Sequence, residues 1–74
     1  MNKARRNQLY KLAGEIERLK DMIDEVKYEE EYAYNNMPEG LQCSMRGQES
    51  EEAIDVLDDV LSSLDDVIDG LEEI

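Results

Sequence analysis

The apolar residues in the last third of the chain recur with a seven-residue period. Three apolar positions per heptad stay in register, at 53/54/57, 60/61/64 and 67/68/71. This spacing places them on one face of an α-helix and predicts a helix from about residue 50 to residue 73. The stripe is wider than the two positions per heptad that a simple helix pair needs, so one partner helix cannot cover it. The predicted oligomer interface comprises Ile54, Leu57, Val60, Leu61, Leu64, Val67, Ile68 and Leu71.

A narrower apolar strip predicts a first helix from about residue 3 to residue 34. Its members alternate at spacings of three and four residues: Leu9, Leu12, Ile16, Leu19, Ile23 and Val26. Asn35, Asn36 and Pro38 should end this helix, because the residue before a proline avoids the α region and asparagine competes for backbone hydrogen bonds. A short connector helix is expected next, over residues 39–45. Gly47 would cap its end, and Ser50 would be the N-cap of the second long helix.

The charges at the helix ends indicate how the two long helices are arranged. Residues 3–6 place three bases at the start of helix one, whereas Glu72 and Glu73 close helix two, and each group opposes its own helix dipole. Folding the helices back around a connector of residues 35–49 sets these opposite charges side by side. The sequence therefore predicts a single all-α domain over residues 1–74, an antiparallel helical hairpin that assembles into a homo-oligomeric helical bundle. A dimer with four helices is the simplest closed form.

Charge and composition restrict the partners and the compartment. Twenty acids and eight bases give a net charge of −12, and residues 53–74 contain eight acids and no base. Such a chain should repel nucleic acid and anionic membranes, so direct binding to either is not expected. The sequence shows neither a signal peptide nor an apolar run of about 18 residues. A lone cysteine, Cys43, is typical of a reducing compartment, and we expect a cytoplasmic protein.

The residue types argue against catalysis and against a cofactor. There is no histidine, Cys43 lies in the connector without a suitable base, and the serines have no partner to activate them. The spacing of an EF-hand is absent, and a bundle site of the Glu-x-x-His kind is impossible without histidine. We therefore expect a protein that is not an enzyme and that holds neither a metal nor a cofactor.

The connector is the segment of the chain that most resembles a binding site. Helix capping accounts for several of its polar residues but leaves Arg46 without an assigned role. Arg46 either forms an ion pair with Glu49 or with residues 29–31, or it binds an anion such as phosphate together with the Gly47 amide and the start of helix two. The candidate ligand-binding residues are Asn36, Gln42, Ser44, Arg46 and Gly47, with Arg5 and Arg6 supplied by a neighbouring subunit.

The connector also carries a resemblance. The run Asn-Met-Pro-Glu-Gly-Leu-Gln over residues 36–42, followed by Ser44, Arg46 and Gly47, resembles short helical-hairpin proteins of phages and mobile elements of Gram-positive bacteria. The opening residues 1–6 are similar as well. The resemblance implies an accessory role in a phage or mobile element, inside the host cell, and it brings no reaction or ligand with it.

Three functions remain open from the sequence. The first is a non-enzymatic, self-associating helical protein that docks on or inhibits a host component, for example a defence protein. The second is a sponge that sequesters an anionic nucleotide signal in pockets between subunits. The third is a nucleic-acid mimic, in which a ladder of paired acids takes the place of phosphates. The ladder consists of Asp58, Asp59, Asp65, Asp66, Glu72 and Glu73.

Overall fold

The computed structural model describes all of residues 1–74 and contains three helices and no strand. Helix α1 spans Lys3–Asn35, α2 spans Glu39–Gln42 and α3 spans Met45–Glu72. Helix α3 folds back along α1, and the short α2 lies in the connector between them. The predicted all-α hairpin is confirmed.

Both ends of α1 follow from local side-chain chemistry. Asn2 is its N-cap, with an extended backbone, and its Oδ1 accepts a 2.8 Å hydrogen bond from the backbone N–H of Arg5. At the other end, the side-chain amide of Asn36 donates to the carbonyl oxygen of Tyr32 over 2.7 Å. Pro38 follows two residues later and cannot continue the helix. The predicted break between the long helices is therefore confirmed.

The start of the second long helix differs from the prediction. Helix α3 begins at Met45 with Ser44 as its N-cap, six residues before the N-cap position that the sequence favoured at Ser50. Ser50 instead lies buried inside α3, where its hydroxyl donates to Glu30 of α1 over 2.7 Å. Its local sequence resembles a cap, but the contact across the hairpin determines its role.

Gly47 explains why α3 can begin so early. It is buried in the first turn of α3 rather than capping the connector helix, and it has a negative backbone φ. A Cβ atom at this position would overlap the backbone carbonyl of Gln42. Glycine is therefore required here by the close approach of the connector to α3, and α2 is limited to the single turn Glu39–Gln42.

The interface between the two long helices is a heptad seam, in which the less exposed residues alternate at spacings of three and four. Its most buried apolar members are Ala13, Leu61 and Ile68. The other apolar seam residues are partly buried: Leu9, Ile16, Ile23, Ile54, Leu57, Leu64 and Leu71. A seam of this kind is typical of paired antiparallel helices.

Half of the apolar strip predicted on α1 does not lie in this seam. Leu12, Leu19 and Val26 are exposed, and the seam positions that follow the last two of them hold Lys20 and Lys27. The six residues of this strip therefore lie on two neighbouring faces of α1, and only three of them face α3. Leucine at alternating spacings of three and four fits two neighbouring faces of a helix, and only the position of the partner helix decides between them.

The predicted oligomer interface on α3 also divides into two groups. Six of its eight residues belong to the seam with α1 of the same chain. Val60 and Val67 do not, and they remain exposed. This division agrees with the expectation that α1 covers only part of the apolar stripe on α3.

The hairpin is a thin rod with dimensions of 58 × 14 × 12 Å. Its radius of gyration is 17.1 Å, whereas a compact domain of this length would have about 11 Å. Its accessible surface is 5700 Å², whereas a compact monomer of this mass would expose roughly 4700 Å². Two helices alone therefore leave much of the chain in contact with solvent.

Replacing Gly47 by alanine tests the close approach in the connector. We expect Gly47→Ala to lower the free energy of unfolding by roughly 1–3 kcal/mol, because the added methyl group overlaps backbone that cannot move aside. Gly14→Ala is the matched control, since a Cβ at Gly14 meets nothing within 4 Å. It should stabilise the protein by about 0.5–1 kcal/mol through helix propensity. Chemical denaturation of both variants measures the difference, and two changes of the same sign would contradict the assignment.

Candidate functional site

One side of the seam is held together by charged residues. The Lys27 ammonium group pairs with Asp58 of α3 and also lies 3.3 Å from Glu31 of its own helix. One heptad earlier, the Lys20 Nζ atom lies 2.5 Å from Oδ1 of Asp65. The order of the partners along α3 is the reverse of the order along α1, as an antiparallel pair requires. These three are the ion pairs of the structure.

A tyrosine continues this line of contacts toward the connector. Tyr34 lies one heptad after Lys27, and its hydroxyl group donates a hydrogen bond to Glu51. The acids on this side directly follow seam residues and recur every seven residues on both helices. We call this side of the hairpin the polar flank, and its acids are Glu17, Asp24, Glu31, Glu51, Asp58, Asp65 and Glu72.

The acidic partners of Lys20, Lys27 and Tyr34 shift the titration of all three groups in one direction. A side-chain hydrogen bond to Asp65 raises the pKa of Lys20, and hydrogen bonds to two carboxylates raise the pKa of Lys27. The hydrogen bond from Tyr34 to its carboxylate partner raises the pKa of the phenol, and desolvation adds to this effect. The protonated form of each group is the one that holds the seam together.

The opposite side of the seam is apolar. Its apolar residues directly precede seam residues, or continue their spacing at Ile74, and in an antiparallel helix pair such positions of both helices lie on the same side. Polar residues at the same kind of position, among them Glu15, Glu49 and Ser63, border the apolar ones. We call this side the apolar flank. It consists of Leu12, Leu19, Met22, Val26 and Ala33 on α1, and of Ala53, Val56, Val60, Val67 and Ile74 along α3 and its end. Its large side chains have exposed fractions between 37% and 59%, which makes a two-helix-wide hydrophobic surface.

Open grooves lie at the two ends of the apolar flank and differ in charge. The groove near the start of α1 has a volume of about 570 Å³, and its walls include Arg5, Lys11 and Glu15. The groove near the start of α3 has a volume of about 440 Å³, and its walls include Glu49 and Glu52 but no base. The apolar flank therefore has a basic end and an acidic end.

The candidate ligand donors in the connector are used within the fold. The Gln42 side-chain amide donates to the backbone carbonyl of Tyr34 over 2.9 Å, and the Ser44 hydroxyl group donates to a carbonyl of α2. The Asn36 amide caps α1, as described above. The structure therefore gives these three residues structural hydrogen bonds, and Gly47 is buried beneath the connector.

Arg46 is the cation of the connector, and it is exposed without an ion-pair partner. The expected ion pair with Glu49 or with residues 29–31 was therefore wrong. Arg5 and Arg6 lie near the start of α1, a full helix length from Arg46 in the same chain. One copy of the hairpin does not bring the candidate anion-binding residues together, and the anion site stays a prediction.

The expected contact between the basic start of α1 and the acidic end of α3 is not observed either. No ion pair joins residues 3–6 to Glu72 or Glu73. Lys20 pairs with Asp65, so steps of seven residues along both helices leave Arg6 without an α3 residue at its level. The antiparallel orientation was predicted correctly from these terminal charges, but the pairs that hold it lie in the middle of the rod.

Neither Lys20 nor Lys27 was predicted to lie in the seam. The sequence signal for their position was a seven-residue spacing, since Ala13, Lys20, Lys27 and Tyr34 follow one another at this interval on one face of α1. In a sequence, a lysine is usually assigned to the solvent-exposed face, because its ammonium group must reach water or an acid. On this seam, the acids of α3 supply that partner.

The structure contains no group of three histidine, cysteine, aspartate or glutamate side chains that could hold a metal ion. None of its helices has the length and apolar character needed to cross a lipid bilayer. The thiol of Cys43 is free and exposed.

Comparison of the chain with protein-family models, with curated proteins and with solved structures finds no match. The function is therefore inferred from the residues and from the geometry of the two flanks.

The polar flank predicts a loss of stability at high pH. The folded-state pKa values of Lys20 and Lys27 lie above the ordinary value of 10.5, and that of Tyr34 lies above 10.0. Their stabilising contribution is complete below these ordinary values and is lost as pH rises through the raised ones. We expect the melting temperature to fall as the pH rises above about 10.

Replacement of both seam lysines by methionine, Lys20→Met with Lys27→Met, should flatten this decline, because the titrating ammonium groups are removed. Lys3→Met is the matched control, since Lys3 is exposed and has no ion pair, and it should retain the wild-type decline. Thermal melts followed by circular dichroism give the comparison. Parallel curves for the double variant and the control would show that the seam lysines do not contribute.

Proposed function

We propose that this chain is a non-enzymatic, self-associating helical binding protein. In this proposal, its working form is a homo-oligomeric helical bundle. The apolar flank joins the copies, and the acidic outer surface docks on a partner. The observation that carries the proposal is the separation of exposed side chains into one apolar flank and one polar flank along about three heptads of both helices.

The apolar flank supports self-association. Single exposed hydrophobic residues are ordinary, whereas a contiguous apolar surface on a small protein marks an interaction site. Here the surface follows both helices for about three heptads and includes Leu19 and Val60 at its centre. Helices with three apolar positions per heptad are suited to bundles of more than two helices.

The acidic surface supports binding to a partner with a basic surface. Three of the twenty acids, Glu31, Asp58 and Asp65, take part in ion pairs within the chain. The remaining acids have no cation partner, and most of them lie on the polar flank and on the outer faces of both helices. Charge of one sign steers association with a partner of opposite charge.

The biological setting of the proposal rests on the resemblance of the connector to hairpin proteins of phages and mobile elements. We propose an accessory role inside the host cell, in which the bundle binds and inhibits a host component that acts against the element. A defence protein with a basic surface fits the charge of the chain.

The two alternative functions draw less support from the geometry. A nucleotide sponge needs free donors in the connector, but Asn36, Gln42 and Ser44 donate to backbone carbonyls. A nucleic-acid mimic needs a ladder of free acids, but Asp58 and Asp65 are paired with lysines.

Placing a charge in the apolar flank tests self-association. We expect Leu19→Glu to weaken association at least about tenfold, because assembly would bury an unpaired carboxylate. Ser62→Glu is the matched control, since it adds the same charge on an exposed face outside the flank and should leave association unchanged. Sedimentation velocity over a dilution series measures both. Leu19→Ala, which adds no charge, should weaken association less, and a wild-type protein that stays a folded monomer at all concentrations would contradict the proposal.

Removing charge from the outer face of α3 tests the partner. We expect the wild-type protein, expressed in a Gram-positive host whose defence system restricts a test phage, to raise the plating efficiency of that phage. Asp59→Asn with Asp66→Asn should reduce this rescue by roughly tenfold, because each lost charge contact contributes a few tenths to one kcal/mol and the two add.

Ser62→Asn is the control on the same turns of α3, since it changes an exposed side chain outside the apolar flank without changing charge. It should keep the rescue. Equal rescue by the acidic variant and the control would show that the acids are not the binding surface, and no rescue by the wild type across a panel of defence systems would remove the accessory role.

A further inference from the structure

We propose that the apolar flank is covered by a second copy of this chain in the antiparallel orientation. In this dimer a twofold axis crosses the rod near Leu19, so that α1 packs on α1 and α3 packs on α3 of the other copy. The basic end of each apolar flank then meets the acidic end of the other. The inference rests on the self-association proposed above and specifies its geometry.

The area of the hairpin fits one further copy. The chain exposes 5700 Å², which exceeds by roughly 1000 Å² the surface of a compact monomer of its mass. A stable protein interface of ordinary size buries about 800 Å² on each partner. One copy laid along the apolar flank therefore removes about the excess, and two apolar helices facing two others close a four-helix bundle.

The apolar residues of α1 are symmetric about the level of Leu19. Leu12 and Val26 lie one heptad before and one heptad after it. On α3, this level falls close to Val67, because the neighbouring Lys20 is paired with Asp65. A twofold axis at the level of Leu19 brings Leu12 of one copy beside Val26 of the other. It also brings Val60 to about one helical turn from Val67 of the other copy, so apolar residues of α3 still face apolar residues of α3.

The charges at the two ends select the antiparallel orientation over the parallel one. In a parallel dimer, the acidic grooves at Glu49 and Glu52 would lie at the same end of the bundle, together with Glu29 of both copies, and like charges would repel. In the antiparallel dimer, each acidic groove lies at the end of the bundle where the other copy places Arg5 and Lys11. Opposite charges then stabilise the assembly at both ends.

Distances between spin labels on the two copies test this orientation. Cys43 is first replaced by serine, and single cysteines are then introduced as Ala4→Cys or Asp21→Cys, both at exposed positions of α1 outside the apolar flank. Ala4 lies fifteen residues before Leu19, so antiparallel copies separate the two Ala4 labels by roughly 45 Å along the bundle. Asp21 lies two residues after Leu19, so its labels are offset by only about 6 Å along the bundle.

Pulsed electron paramagnetic resonance on each labelled protein reads these separations. The antiparallel dimer predicts a long distance at position 4 and a short distance at position 21. Two short distances, both within about 25 Å, the width of a pair of packed helices, would identify a parallel dimer and overturn the inference while leaving self-association intact. Absence of any distance between labels at concentrations where the hairpin is folded would overturn both proposals.

Discussion

Two lysines that lie where a hydrophobic seam would ordinarily place apolar residues determine which side of the hairpin is polar. Lys20 and Lys27 are partly buried, so their ammonium groups must reach water or an acid. Asp65 and Asp58 meet this need from one side of α3 and in reversed order. The short connector makes the two helices antiparallel, and the ion pairs make one flank polar. The apolar residues next to the lysines are left on the other flank.

The same pairs contribute little to the register by themselves. Acids recur every seven residues along the polar flank of α3, so a slip of one heptad would offer each lysine another carboxylate. The connector removes this freedom, because Gly47 packs against the backbone of Gln42 and ties the start of α3 to the end of α1. The connector thus sets both the antiparallel orientation and the register, while the ion pairs set which flank is polar.

Much of this architecture could be predicted from the sequence, because heptads, prolines and terminal charges act locally or along one helix. The antiparallel hairpin and the end of α1 at Asn36 follow from such signals. The start of α3 could not be predicted, since a serine before two acids resembles an N-cap and only the contact of Ser50 with Glu30 shows otherwise. The different positions of Leu12 and Ile16 could not be predicted either. Both fit the same helical period, and only the position of α3 decides that Ile16 lies in the seam and Leu12 outside it.

Prediction from the sequence was limited in the same way at the candidate ligand site in the connector. Gln42 and Ser44 have the side chains that an anion site would need, and a sequence does not show that their donors already bind carbonyl oxygens in the connector. Arg46 lacks the partner that the surrounding acids led us to expect. For these residues the decisive information is the path of the connector, which depends on tertiary contacts of a few backbone atoms.

The repeated spacing of lysines and acids determines how the length of such a rod can change in evolution. One heptad could be removed from α1 and the facing heptad from α3 without disturbing the connector, the order of the ion pairs or the division into two flanks. Loss of a heptad from one helix alone would leave the other helix uncovered. The length of the rod can therefore change only when both helices change by the same number of heptads. Rods built on this plan would differ in length while keeping the same connector and the same two flanks.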